Sequence, residues 1–276
     1  MGGWGKELAT IWTNNVAPSR PSCNEMCVYT KYLREIQYKK RQRLKLLVLG
    51  STPEFRDWGY EENLDIYVVD KSEEYYHQVS REVRHKNLSE TVFFMSWEDM
   101  KFSEKFDIII GDLSIGNVNK SRFNDFLCNV RDSMTDDAVF LGKSFLWPED
   151  EPIKAPKQII EEYYASCRIH PYTFINHQLG LYCLDKEQYS IDFQKMYQEM
   201  ATLLKSGVIE KELFSYFQNI GWNTEMKFEF FAPSQDYFAS LVNKVLLFER
   251  FVHTMDVYTR VFPIYIIKKQ SVEGIL

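Results

Sequence analysis

The sequence is poor in glycine, with 12 in 276 residues, and its five cysteines are widely scattered. An odd number of scattered cysteines argues against a disulfide framework and indicates a reducing compartment. No run approaches the roughly 18–20 uncharged apolar residues of a membrane helix, and the N-terminus lacks the charged-then-apolar order of a signal peptide. The net charge of −6 gives no general attraction for nucleic acid. We therefore expect a cytoplasmic protein without membrane or nucleic-acid partners.

What the sequence does contain is ordinary globular composition, 45% hydrophobic and 26% charged, with aromatic side chains at 16%. This composition excludes a disordered chain. Cys23 and Cys27 are four residues apart with no second pair of metal ligands nearby. We predict no metal site, and we interpret the two thiols as small, partly buried side chains of a helix.

Residues 1–43 form an N-terminal arm. Ser22 or Asn24 caps a helix that runs to about residue 38, and the cationic run 39–43 suits a helix C-terminus better than a nucleic-acid contact. The arm also carries aromatic and aliphatic side chains that either dock it on the core or line an acceptor pocket. These are Trp4, Ile11, Trp12, Tyr29 and Tyr32.

Short apolar runs then alternate with helical stretches. The runs are nearly continuous rather than alternating, which is typical of strands covered on both faces, and their alternation with helices predicts crossover units and a parallel sheet. The fold class is therefore a doubly wound α/β sheet. The predicted strands are 44–49, 65–70, 91–95, 106–110 and 138–141, and the helices between them begin at Pro53, Ser72 and about Ser121.

Prolines at 148, 152 and 156 interrupt this pattern after the fifth strand. The segment that follows is too long for a simple connection, so we divide the chain into an arm (1–43), a ligand-binding core (44–146), an insertion or cap (147–206) and a C-terminal part of the core sheet (207–276). Helices are predicted at 157–166, 191–205, 209–218 and 234–251, strands at 227–231 and 261–267, and 169–184 has no clear assignment. Pro263 favours an edge or first position in the last strand.

Three chemically distinctive places fall where predicted strands end. The first turn contains Gly50 just before a helix N-terminus, Asp70 ends the second strand, and Asp112 follows Gly111 at the end of the fourth. Ligands of doubly wound sheets bind at the carboxyl ends of the strands, where a glycine admits a close approach and an acid accepts a ribose hydroxyl. Each place also has a plainer explanation, as a turn glycine, a helix-capping acid or a loop acid.

This order of elements over residues 44–146 resembles class I S-adenosylmethionine-dependent methyltransferases. The resemblance implies a seven-stranded sheet with an antiparallel last strand (261–267), preceded by the strand 227–231. It also implies that 47–52 surround the methionine part of the cofactor, Asp70 holds the ribose, 96–98 lie beside the adenine, and Asp112 lies near the cofactor's amino group. The implied cofactor-binding residues are Gly50, Ser51, Thr52, Asp70, Ser96, Trp97, Asp112 and Leu113. Trp97 either stacks on the cofactor or only packs.

Two departures from the family pattern keep alternatives open. The first loop holds one glycine where the family shows two or three, which leaves a catalytically inactive binding protein as the second hypothesis. Asp112 is not followed by prolines, which argues against methylation of adenine bases. The absence of G-x-G-x-x-G after the first strand argues against a dinucleotide. The leading hypothesis is a methyltransferase for a small-molecule acceptor, and RNA or protein methylation is a weaker third.

No compulsory catalytic residue can be recognised, since methyl transfer depends mainly on holding donor and acceptor in line. Candidates for a base are the three histidines His170, His177 and His253, and the two acids Glu98 and Asp112, although each histidine is explained as well by a structural role. Aromatic residues of the insertion suit either an acceptor site or ordinary packing. They are Tyr163, Tyr164, Tyr172 and Phe174.

Overall fold

The computed structural model describes residues 15–40, 42–87, 89–166, 169–219, 221–222 and 230–270. Its first helix, α1 (Cys23–Lys39), begins with a reciprocal capping box in which the side chains of Ser22 and Glu25 each accept the other residue's backbone N–H. The predicted helix is therefore confirmed. Cys23 and Cys27 are exposed, so the expectation that they are partly buried was wrong. Trp4, Ile11 and Trp12 lie outside the described residues.

The first half of the core follows the predicted alternation of strands and helices. Each strand is short and apolar, and Pro53 is the first residue of its helix, where its missing N–H costs no hydrogen bond. The elements are β1 (Lys45–Leu49), α2 (Pro53–Glu61), β2 (Asp65–Asp70), α3 (Glu73–Val79), β3 (Glu90–Phe94), β4 (Phe106–Asp112), α4 (Phe123–Ser133) and β5 (Met134–Lys143).

The second half contains one helix that the sequence did not indicate. It is α6 (Pro171–Tyr182), which begins with a proline and lies in the segment that had no clear assignment. The remaining elements are α5 (Pro156–Ser166), α6 (Pro171–Tyr182), β6 (Leu184–Asp185), β7 (Ser190–Ile191), α7 (Phe193–Lys205), α8 (Lys211–Asn219), β8 (Phe230–Phe231), α9 (Gln235–Val242), β9 (Leu247–Val252) and β10 (Ile264–Lys268). Among the described residues, no helix combines the length and apolarity that a membrane crossing requires.

Seven strands form one sheet in the order β3-β2-β1-β4-β5-β10-β9. The pairs β1–β2, β1–β4, β2–β3 and β4–β5 are parallel, whereas β10 is antiparallel to both β5 and β9. The last strand in the sequence, β10, therefore lies between β5 and β9. This confirms the expected antiparallel last strand, and it differs from the 3-2-1-4-5-6 order of dinucleotide-binding sheets.

Two predictions for the C-terminal part were wrong. The helix expected over 234–251 ends at Val242, and Leu247–Val252 is the edge strand β9. Apolar side chains at 241, 245, 248 and 252 mimic helical spacing, but the Asn243 side chain accepts the backbone N–H of Phe248 (2.9 Å) and the chain turns there. Of the strand expected over 227–231, residues 227–229 are not described. Phe230–Phe231 pairs with β7 in a separate three-stranded sheet, not in the main one.

Side chains of the central strands point alternately into two apolar layers. Leu47 and Leu49 of β1 belong to a cluster that includes α4 and α9, whereas Leu46 and Val48 belong to a cluster that includes α1 and α2. Helices α5 to α8 surround a third apolar cluster with β7 and β8. Covering both faces of the sheet leaves its carboxyl edge as the place where polar side chains gather.

Pro263 immediately precedes β10, which is an interior strand. The edge position suggested by this proline was therefore wrong. The alternative, a position at the start of the strand, is close to what is observed. A proline before the first ladder residue removes no hydrogen bond from the sheet.

Candidate functional site

The turn after β1 is built around Gly50. Its φ of 89° lies in the region that side chains with a Cβ rarely adopt, and its backbone N–H donates to the carbonyl oxygen of Val69 (2.9 Å). A Cβ added here would lie 3.6 Å from the Trp97 ring. The turn leads directly into α2, so the first loop presents Ser51 and Thr52 at a helix N-terminus.

Asp70 at the end of β2 is buried and already partly satisfied. Its Oδ2 accepts a hydrogen bond from Ser51 Oγ (2.6 Å), and its Oδ1 accepts one from the backbone N–H of Ser72 (3.0 Å). Burial raises the pKa of this carboxyl, against the lowering effect of those two hydrogen bonds. The cap of α3 is Ser72, which accepts the N–H of Tyr75, so Asp70 lies two residues before the cap and binds the cap's own backbone N–H. A carboxylate has about four lone-pair positions, which leaves room for further donors.

Residues 96–98 follow β3 and lie across from the first loop. Trp97 donates its indole N–H to the Val69 carbonyl (2.9 Å), the same oxygen that Gly50 binds. This hydrogen bond fixes the ring beside Gly50, where it also packs against the core. Glu98 accepts the backbone N–H of Asn119 (3.1 Å), which ties this segment to the loop after β4.

Asp112 at the end of β4 has an unsatisfied carboxylate. Its side chain is 2% exposed, and neither oxygen accepts a hydrogen bond from the described residues. The nearest cation is Lys143, whose Nζ lies 3.3 Å from Asp112 Oδ1. Burial raises the pKa of Asp112 to about 7, although the Lys143 ammonium opposes the shift. The next residue, Leu113, has a positive φ of 53°, a strained conformation for a side chain of this size.

These places converge on one cavity of about 290 Å³. All eight residues that the resemblance implies line it, namely Gly50, Ser51, Thr52, Asp70, Ser96, Trp97, Asp112 and Leu113. The sequence interpretation missed other lining residues, among them Ser19, Tyr75, Asn117, Asn119 and Arg122. Runs of apolar residues that end in an acid or a glycine marked the strand ends, whereas no comparable signal marked Ser19 or the loop after β4.

Ser19 belongs to the N-terminal segment (residues 15–22), which crosses the cavity wall. Its hydroxyl shares a hydrogen bond with Tyr172 Oη of α6, and Arg20 forms an ion pair with Glu54 at the start of α2 (2.6 Å). The carbonyl oxygen of Arg20 accepts a hydrogen bond from Lys143 Nζ (3.0 Å). The segment therefore connects the helices after β5 with the core at the edge of the site.

Several other candidates lie away from the cavity. Among the described residues, none of the three candidate histidines lines it; burial lowers the pKa of His177 to about 4. Tyr29 packs edge-on against Phe55 (5.4 Å between ring centroids), and Tyr32 accepts a hydrogen bond from Arg250 (3.0 Å), so both tyrosines dock α1 on the core. Neither tyrosine lines the cavity.

The aromatic side chains of the insertion do not reach the cavity. Tyr163, Tyr172 and Phe174 pack within or against the third apolar cluster, and Tyr164 is 47% exposed. Tyr172 contacts the site through the hydroxyl of Ser19, which does line the cavity. In the part of the chain that the structure describes, no three His, Cys, Asp or Glu side chains form a group able to hold a metal ion.

Two cations of the basic run 39–43 are paired with acids. Lys40 pairs with Asp107 (2.6 Å), and Arg43 pairs with Asp65 (2.9 Å). These cations connect the end of α1 to the amino-terminal side of the sheet, opposite the cavity. They therefore support the helix-end interpretation rather than a nucleic-acid contact.

No protein-family model and no curated protein matches the chain by sequence. A Rhodobacter sphaeroides structure provisionally described as a Zn-dependent alcohol dehydrogenase matches with a TM-score of 0.58, 14% identity and 96% coverage of both chains. The PH0226 protein of Pyrococcus horikoshii OT3 matches with a TM-score of 0.53 and 12% identity, over 94% of this chain and 98% of the other. At such identities the matches show the fold alone.

A third structure is the N-methyltransferase NodS of Bradyrhizobium japonicum in complex with S-adenosylhomocysteine. It matches with a TM-score of 0.49 and 9% identity, over 94% of this chain and 92% of the other. The seven-stranded sheet and its antiparallel last strand β10 are those that the resemblance to methyltransferases implied. The chain has the fold of class I S-adenosylmethionine-dependent methyltransferases.

Proposed function

We propose that the protein is an S-adenosylmethionine-dependent methyltransferase that acts on a small-molecule acceptor. The observation that carries this proposal is the convergence of the four strand ends on one cavity that contains an acid at β2 and an unsatisfied, buried acid at β4. A cavity of this kind at the carboxyl edge of a doubly wound sheet is where such folds bind nucleotide-like ligands.

The residues present suit the parts of S-adenosylmethionine in one orientation. The free lone pairs of Asp70 would accept the ribose hydroxyls, and the Trp97 ring offers an apolar face to the adenine. The hydroxyl of Thr52, at the N-terminus of α2, would hold the carboxylate of the methionine part, since the Ser51 hydroxyl already donates its proton to Asp70. Asp112 would then accept its ammonium group, which supplies the hydrogen-bond donors that this carboxylate lacks.

When bound, S-adenosylmethionine supplies a methyl group on a positively charged sulfur. The protein's own part is to hold the acceptor in line with that methyl group and to exclude water. Glu98 is a carboxylate on the cavity wall that can receive an acceptor's proton, whereas Asp112 would be occupied by the donor's ammonium group. The donor would take up the cavity of about 290 Å³, so the support for a small acceptor over a nucleic acid is the net charge of −6.

We also propose that the arm (1–43) and the insertion (147–206) act together as a cap over the acceptor side of the core (44–146 and 207–276). The support is the contact of Ser19 with Tyr172, together with the hydrogen bond from Thr173 Oγ1 to the Ala17 carbonyl (2.5 Å). The cap would shield the reacting atoms from water.

The first loop also favours a second function, a binding protein without catalytic activity. Gly50 is the single glycine of this loop, and its backbone N–H is used by the Val69 carbonyl rather than being free for a ligand. Such a protein would bind the nucleoside part weakly and would not position an acceptor for transfer.

Calorimetry with S-adenosylmethionine and S-adenosylhomocysteine shows whether the protein binds either ligand. The variant Asp70→Asn tests the proposed ribose site. We expect Asp70→Asn to weaken S-adenosylhomocysteine about tenfold or more, because a ribose hydroxyl would lose a charged acceptor. The matched control is Asp65→Asn at the other end of β2, whose partner Arg43 is half exposed. Equal affinities of Asp70→Asn and wild type would contradict the ribose site.

A further inference from the structure

Beneath the cavity, three charged side chains meet in a fully buried cluster. Lys143 at the end of β5 is 0% exposed, and it lies between Glu25 of α1 and Asp112 of β4, which are themselves almost completely buried. Burying an unpaired charge is costly, so the partners of each side chain determine whether it is ionised.

The two carboxylates do not share the lysine equally. The Lys143 Nζ donates to Glu25 Oε2 at 2.8 Å and to the Arg20 carbonyl at 3.0 Å, whereas its distance to Asp112 Oδ1 is 3.3 Å without a hydrogen bond. The Lys143 ammonium is therefore turned toward α1 and the N-terminal segment. Asp112, which lines the cavity, is left without donors.

The formal charges of the cluster also leave one negative charge in excess on the cavity side. One ammonium and two carboxylates sum to −1 when all are ionised, and Glu25 with Lys143 already forms a balanced pair. The remaining negative charge belongs to Asp112 and faces the cavity. A buried carboxylate in this position gains most from a ligand that brings both a positive charge and N–H donors.

We propose that Glu25 selects for a ligand ammonium at this end of the cavity, because it directs the hydrogen bonds of the Lys143 ammonium toward α1 and leaves Asp112 with only a longer ion pair of 3.3 Å. Glu25 is then a positioning residue that acts through Lys143. The inference rests on the proposed function, which identifies the ammonium as that of the methionine part of the donor. The N-terminal helix thereby determines the charge preference of a site formed by the ends of the core strands.

Removing the Glu25 charge would release Lys143 to Asp112. In Glu25→Gln, the lysine would keep Asp112 as its charged partner, and the pair would become neutral toward the cavity. A ligand ammonium would then compete with Lys143 for the same oxygens. Removing Lys143 as well, in Glu25→Gln/Lys143→Met, would abolish that competition and leave Asp112 free again, a pattern that a purely structural role of Glu25 does not produce.

The experiment compares two probes that share the thioadenosine part and differ in the group on its sulfur, a methyl group or an aminopropyl group that carries the ammonium. The first is 5′-deoxy-5′-methylthioadenosine, and the second is decarboxylated S-adenosylhomocysteine, which carries an aminopropyl group on the same sulfur. Calorimetry at pH 8 gives the ratio of their dissociation constants. We expect Glu25→Gln to reduce the preference for the aminopropyl probe about tenfold. The double variant should return the ratio to within about threefold of wild type, and the exposed Glu35→Gln on the same helix should not change it.

The inference is overturned if the ratio is unchanged in Glu25→Gln, or if the double variant is as impaired as the single one. In either case, binding of methylthioadenosine would leave the proposed function intact. Loss of methylthioadenosine binding in the wild type overturns both. Thermal denaturation shows whether Glu25→Gln is folded. If it is not, Lys143→Met alone decides the question. Because this variant removes the competing cation, we expect it to raise the preference for the aminopropyl probe. A fall in that preference contradicts the inference.

Discussion

At the residue scale, the site depends on a few positions whose backbone or charge state is unusual. Gly50 occupies a positive φ, and Asp112 is a carboxylate without donors. The sequence marked both positions, because a glycine and an acid at the ends of apolar runs are conspicuous. It did not mark Glu25 and Lys143, whose hydrogen bond joins residues 118 apart in the chain. A lysine that ends a strand and a glutamate in the first turn of a helix are ordinary in isolation, so their burial cannot be inferred locally.

Replacing Gly50 tests the link between the first turn and ligand binding. Gly50→Ala should lower the free energy of unfolding by about 1–2 kcal/mol, because a Cβ is disfavoured at this φ. Gly207→Ala is the matched control, with a φ of 72° and open space around the added methyl group. Urea denaturation should give similar losses for both variants, whereas calorimetry should show weaker S-adenosylhomocysteine binding for Gly50→Ala alone. Equal weakening in both would contradict a local role of Gly50.

The pKa of Asp112 predicts how stability depends on pH in the absence of ligand. The folded chain holds this proton up to a pKa of about 7, whereas an unfolded aspartate releases its proton near pH 4. The folded state therefore binds the extra proton between these values, and its stabilising effect is lost as the pH rises through 7. Asp112→Asn removes this dependence.

Urea midpoints of wild type and Asp112→Asn measured from pH 5 to 8 should diverge in favour of the variant as the pH rises. The expected sign follows from the cost of ionising a buried carboxyl that lacks hydrogen-bond donors. A gap that stays constant over this range would show that Asp112 is ionised throughout and would contradict the raised pKa.

At the scale of elements, the alternation of apolar runs and helices predicted β1 to β5 and the glycine and acids at the ends of these strands. It could do so because buried parallel strands have a distinctive composition. The prediction was wrong at β9, where apolar residues with helical spacing form an edge strand exposed on one side. Short-range spacing does not distinguish the two cases, since pairing with β10 is a long-range contact.

Among the elements, α1 is the helix whose start matters most for the site, because Glu25 lies in its first turn. Ser22→Ala removes the cap and also the hydrogen bond from Ser22 Oγ to Asp256 (2.7 Å). We expect a loss of roughly 2 kcal/mol in the free energy of unfolding, about 1 from the cap and about 1 from the tertiary hydrogen bond. Ser72→Ala, which removes the cap of α3, should cost about 1 kcal/mol. Equal losses in guanidinium denaturation would show that the Asp256 contact contributes little.

At the scale of the whole molecule, the charge distribution bears on the class of acceptor. The chain carries a net charge of −6, and Lys40 and Arg43 of the basic run are paired with acids on the far side of the sheet from the cavity. Non-specific binding to nucleic acid depends on releasing counterions from many phosphates, which requires unpaired cations on one face.

We therefore expect a fluorescein-labelled single-stranded RNA to show little or no change in anisotropy with this protein at 150 mM salt. Repeating the titration at 50 mM salt provides the control for weak electrostatic association. Tight binding that weakens steeply between the two salt concentrations would contradict the small-molecule proposal and would favour RNA as the acceptor.

The central claim is that the ends of β1, β2, β3 and β4 form one site for a nucleoside carrying a sulfur-linked amino acid. A crystal structure of the complex with S-adenosylhomocysteine tests it most directly. The account predicts the adenine beside Trp97, the ribose hydroxyls on Asp70 and the ammonium group on Asp112. A ligand bound elsewhere, or one whose amino-acid end points toward β3 instead of β4, would contradict it.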